Sequence, residues 1–101
     1  MGLDVLLYDN TNKLISIYEL DKELHNEIFS TDKRWASYSF LRKLHDYYRT
    51  NEEFNGEGLE GLISDLNNYK PLMAEKYHTA VELLLEAVSD KKVQKIRING
   101  D

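Results

Sequence analysis

The sequence predicts an α+β fold: a small three-stranded sheet, made of an N-terminal hairpin and a C-terminal strand, with about four helices packed on one of its faces. Three observations carry this expectation. Apolar residues alternate at both ends of the chain, they recur at helical spacing through the middle, and the composition suits one packed core. With 101 residues, 42% of them apolar and 11% aromatic, and only one Pro and five Gly, the chain reads as one domain over 1–101.

Leu3, Val5 and Leu7 give the first segment one apolar face, while Asp4, Leu6 and Tyr8 make the second face only partly polar. That marks a central strand. Asp9-Asn10-Thr11-Asn12 suits a turn, because Asx and Thr side chains bond to nearby backbone, and Leu14, Ile15, Ile17 and Tyr18 supply a second strand. Asp21 is placed to cap a short helix whose Leu24 and Ile28 share a face, with the next cap expected among Ser30-Thr31-Asp32. From Trp35 to about Tyr48, Leu41, Leu44 and Tyr48 form a stripe at 3.6-residue spacing, flanked by Phe40 and Tyr47 and by Tyr38, which predicts a largely buried helix.

Asn51, Asn55, Gly56 and Gly58 predict that Thr50 to Gly58 is the longest loop, anchored by Phe54. A helix follows on Leu59, Leu62, Ile63, Leu66 and Tyr69. Pro71 fits the first turn of another that runs to about Ser89, with Met73, Tyr77, Val81, Leu84 and Val88 on one face. Val93 to Ile98 is a short strand with Ile96 and Ile98 facing in. It is expected beside the first strand, in the order 2-1-3.

Charge is segregated along the chain. Thr50 to Tyr69 contains no Lys or Arg but holds Glu52, Glu53, Glu57, Glu60 and Asp65, which together equal the whole net charge of −5. One acidic side favours a protein partner with a basic surface, and nucleic acid is not an expected partner of an acidic chain. Lys91, Lys92, Lys95 and Arg97 form one basic cluster, suited to a helix C-terminus and to the outer face of an edge strand. The longest apolar run, Val5 to Tyr8, is far short of the ~20 residues of a membrane span, and the N-terminus lacks the sections of a signal peptide. A cytoplasmic, non-membrane protein is expected. With no cysteine, disulfides, thiol catalysis and Cys-ligated metal sites are excluded.

Glu75 and His78 match a Glu-x-x-His spacing, with Glu82 one turn further, yet on a helix they project away from the Met73, Val81 and Leu84 face, so no metal is expected. His25, between Glu23 and Glu27, reads as a surface residue. Gly56-Glu57-Gly58 is no phosphate loop, since its carboxylate would repel phosphate. No catalytic set and no cofactor site emerges. One alternative stands beside the acidic surface: Trp35, Tyr38, Arg42, His45 and Arg49 share a helix flank where guanidinium groups and rings could hold an anion or planar ligand, as in a small-molecule binder or minor enzyme. A pocket at that flank would favour it, a flat surface the partner-binding reading.

The opening Met1-Gly2-Leu3-Asp4-Val5-Leu6-Leu7-Tyr8, with the segment from Tyr38 to Tyr48, resembles a set of small uncharacterised phage and bacterial proteins that open Met-Gly-Leu-Asp. The resemblance implies a bacterial or phage origin and no activity. The main expectation is therefore a non-enzymatic, cytoplasmic binding or regulatory protein that engages its partner through residues 50–69. Because no segment is left to cover Leu6 and Tyr8, a homodimer is expected as well.

Overall fold

A computed structural model of the chain describes residues 3–29, 34–46 and 49–100. The fold is α+β, with a four-stranded antiparallel sheet and three α-helices rather than the three strands and about four helices expected. The strands are β1 (Leu3–Tyr8), β2 (Leu14–Leu20), β3 (Asn51–Asn55) and β4 (Lys95–Asn99), in the order β2-β1-β4-β3. The helices are α1 (Lys22–Ile28), α2 (Gly56–Tyr69) and α3 (His78–Val88).

β1 and β2 form the hairpin that the alternation predicts. Its turn is held by Asp9, whose Oδ1 accepts from Thr11 N (2.9 Å), Lys13 N (3.0 Å) and Thr11 Oγ1 (2.7 Å). Asn12 closes it in the left-handed region, at φ 66°, where Asn is tolerated better than most residues. Tyr8 pairs with Leu14 after a bulge, and Leu6 with Ile17. The C-terminal strand does lie beside β1, with Val5 opposite Ile98 and Leu7 opposite Ile96.

The extra strand comes from the stretch read as a loop. Its Asn and Glu residues have low strand propensity, but an edge strand with one wet side needs only an inward anchor. Phe54 provides it, buried opposite Ile96. Gly56, at φ +48°, then turns the chain directly into α2, a conformation that L side chains rarely adopt.

The helix expected over 35–48 is replaced by two 3-10 turns, Arg34–Ser37 and Leu41–Leu44. Between them the Asp65 carboxylate takes the N–H groups of Phe40 (2.9 Å) and Leu41 (3.1 Å), which fixes the start of the second turn from outside the segment. Leu41 and Leu44 are still buried, so these two members of the apolar stripe keep their place despite the change of backbone. Tyr47, Tyr48 and the expected caps at Ser30-Thr31-Asp32 lie outside the described residues. The single helix expected over 71–89 is also divided. Pro71 sits in a 3-10 turn, Lys70–Leu72, that continues α2; Met73 is extended, and after Ala74 a 3-10 turn at Glu75–Tyr77 leads into α3.

The core lies between the helices and one face of the sheet, where Leu3, Val5, Ile96 and Ile98 meet Leu62, Leu66, Val81 and Leu84. Asp21 caps α1 as expected, accepting from Leu24 N at 2.8 Å. At the other end of α1, Tyr69 donates its hydroxyl to the Ile28 carbonyl at 2.7 Å. The second face of the sheet, with Leu6, Tyr8, Ile17, Lys95 and Arg97, bears no packed element among the described residues.

Candidate functional site

The acidic segment is an edge strand followed by a helix. Register places Phe54 and Glu52 on the helix side of β3 and Asn51, Glu53 and Asn55 on the open face. Glu53 is engaged there: its Oε1 lies 3.7 Å from Arg97 Nη1 and 3.9 Å from Lys95 Nζ, and Arg97 Nη2 donates to Asn51 Oδ1 at 2.7 Å. Two members of the basic cluster are thus turned toward an acid of the same sheet. Asp65 is also engaged, by Phe40 N and Leu41 N.

The remaining three acids differ. Glu57, in the first turn of α2, and Glu60 are exposed, and Glu52 is half-buried at the edge. Among the described residues none of the three forms an ion pair. A negative side chain in the first turn of a helix is favoured by the helix dipole, which suits Glu57 to its place in α2. The five acids read from the sequence therefore separate into two with partners in the fold, Glu53 and Asp65, and three without an ion pair among the described residues, of which Glu57 and Glu60 are exposed and Glu52 is half-buried.

The alternative flank is divided too. The Trp35 ring stacks on the His45 ring (5.3 Å, 10°) and meets Phe29 edge-on (5.4 Å, 73°). Tyr38 leaves this group and packs its ring against Tyr69 at 5.3 Å. His45 Nδ1 donates to the Arg42 carbonyl at 2.8 Å, which sets its tautomer, and the Arg42 and Arg49 side chains are exposed. Two of the rings expected to stack a ligand are instead paired with rings of this chain.

An open concavity of about 580 Å³ lies elsewhere, between the β1–β2 turn and the turn before β4. Lys13, Lys91 and Lys92 line it with Asp9, Asn10 and Gln94. Sequence spacing cannot join Lys13 to Lys91 and Lys92; the β1–β4 pairing does, extended by the Gln94 N–H to the Tyr8 carbonyl at 2.9 Å. The Asp9 carboxyl is held below its ordinary value, first by the Lys13 backbone N–H and then by the Thr11 hydroxyl. Its charge serves the turn.

His25 is buried, not on the surface as its flanking glutamates suggest. Glu82 is paired with Lys70 at 2.8 Å, and His78 Nε2 donates to the Met73 carbonyl at 3.1 Å, so these two potential ligands are used within the fold. Among the described residues there is no group of three His, Cys, Asp or Glu that could hold a metal ion, and no helix long and apolar enough to cross a membrane.

No family model matches this sequence, and comparisons with curated proteins and with solved structures find no match either.

Proposed function

We propose that this is a non-enzymatic binding protein that engages a basic segment of a protein partner along the β3–α2 edge. One observation carries the reading: among the described residues Glu52, Glu57 and Glu60 form no ion pair, and they belong to β3 and the first turns of α2, where the outer edge of the sheet has no further strand beside it. An extended segment can add to such an edge by backbone hydrogen bonds, while carboxylates on the edge strand and on the following helix select for Lys or Arg. Glu53 and Asp65 have structural partners, and the proposed contact set is narrowed to the other three. The ligand-binding alternative at Trp35, Tyr38, Arg42, His45 and Arg49 gains no support from the ring pairing, since Trp35 and Tyr38 are committed to His45 and Tyr69.

A short lysine-rich peptide is the direct probe. In a titration followed by amide NMR, shifts are expected at 51–55 and in the first turns of α2, weakening as salt is raised. Replacing Glu52, Glu57 and Glu60 together by Lys should abolish them, and the changes at the two exposed positions, Glu57 and Glu60, should alter stability by no more than about 1 kcal/mol, as exposed charges contribute little to folding. Unchanged peptide binding by the triple variant would refute the proposal.

A further inference from the structure

The two edges of the sheet are guarded differently. β3 has five residues and bears Asn51, Glu52, Glu53 and Asn55, the combination of short length and charge that keeps an edge from pairing indiscriminately. β2, at the other edge, is the longest strand, with seven residues, and Glu19 is its only charge. Leu14, Ile15 and Ile17 are exposed on it, Ile17 most of all at 58%. The bulge at Leu7/Tyr8 disturbs only the start of β2 and leaves Ser16 to Leu20 in regular register.

We propose that β2 pairs with β2 of a second copy of this chain, antiparallel about a two-fold axis at Ile17, so that the two sheets become one. The strand is self-complementary about that point. Ile17 is both its midpoint and its most exposed apolar residue, and the axis sets Ile17 against Ile17 and Ser16 against Tyr18, with Glu19 reaching the bulge at Ile15. No like charges are opposed. The two Glu19 residues stand about 14 Å apart along the strands at ~3.4 Å per residue, beyond a screening length of ~8 to 10 Å. Ser16 and Tyr18 share the helix side of the sheet, opposite Leu7 and Val5, so the residues brought face to face point the same way, as antiparallel pairing requires. On the open face Leu6 and Ile17 of one copy continue into Ile17 and Leu6 of the other. The pairing is independent of the β3–α2 proposal, which concerns the opposite edge.

Sedimentation at about 50 µM, far above a micromolar dissociation constant, is expected to give a dimer. Ile17→Lys and Ile17→Glu should each be monomeric with unchanged circular dichroism, and an equimolar mixture of the two should recover the dimer, because the axis opposes position 17 to itself. The chain has no cysteine, so Ile17→Cys offers a second readout. Directly opposed Cα atoms at ~4.5 to 5.5 Å fall within disulfide range, and oxidation should crosslink this variant quantitatively while Asn55→Cys, on the other edge, stays monomeric. A wild-type monomer at that concentration would overturn the proposal. So would a dimer that persists in Ile17→Lys, or one in which Ile17→Cys fails to crosslink.

Discussion

His25 is a titratable group inside the core, only 3% exposed, with its ring 4.5 Å from that of Phe29. Its Nε2 lies 2.7 Å from the Leu44 carbonyl, which can only accept, so that nitrogen carries the proton. Burial lowers its pKa; the Leu44 carbonyl and Asp46 oppose the shift and His45 adds to it. A lowered pKa means that the unfolded chain binds the proton first as pH falls. The contribution of neutral His25 is therefore complete above its unfolded value of ~6.5 and is lost as pH drops from there toward the folded value, at up to about 1.4 kcal/mol per pH unit. His25→Gln keeps an N–H donor near the Leu44 carbonyl without the titration. Urea unfolding of both proteins between pH 7.5 and 5 should show the wild type losing stability faster; parallel curves would show that His25 takes up its proton in the fold. This burial was not legible in the sequence. Glu23 and Glu27 on either side imply an exposed helix face, but the Leu44 carbonyl that takes the His25 N–H comes from 19 residues away.

At the scale of elements, α2 has two working faces. Leu59, Leu62 and Leu66 enter the core, a face fully legible from 3.6-residue spacing. Gly61, Asp65 and Tyr69, at i, i+4 and i+8, form a second stripe that organises the irregular connection from α1 to β3. A side chain at Gly61 would overlap the Phe40 ring, Asp65 accepts from Phe40 N and Leu41 N, and Tyr69 bonds the Ile28 carbonyl. Periodicity cannot reveal this stripe, because its members differ in chemistry and their partners lie at distant positions. The same external bonds replace the expected 35–48 helix with 3-10 turns. Asp65 thus reads as part of an acidic surface by composition and as a backbone anchor by geometry. Asp65→Ala is expected to cost about 1 to 3 kcal/mol, since it leaves two partly buried N–H groups unpaired. Asp65→Asn, which retains an oxygen acceptor, should recover part of the loss in urea midpoint. An alanine variant as stable as the wild type would show that the 40–41 backbone needs no anchor.

For the whole molecule, the central ladder joins the two ends of the sequence: β1 and β4 are neighbours, with Leu6 opposite Arg97 about ninety residues away. The hairpin is local and was legible; β4 beside β1 followed from the apolar faces of both, whereas β3 had too little apolar content to be recognised. This topology makes the β1–β4 ladder the most costly to close, since loop entropy grows with the logarithm of the intervening length. Asp4 lies opposite Asn99, which places the start of β1 beside the end of β4. A circular permutant that joins them with a short glycine linker and opens in the exposed turn at Lys91 and Lys92 would turn β4, β1 and β2 into consecutive hairpins. All native pairings remain, so the stability of this variant should stay within about 2 kcal/mol of the parent. Shortening the β1–β4 closure from about ninety residues to a handful removes up to ~2.5 kcal/mol of loop entropy, which corresponds to refolding faster by at most about 70-fold if that ladder forms in the transition state. Stopped-flow refolding of the two proteins decides it. An equal rate at equal stability would place the β1–β4 pairing after the folding barrier, and leave the β1–β2 hairpin with the helices as the nucleus.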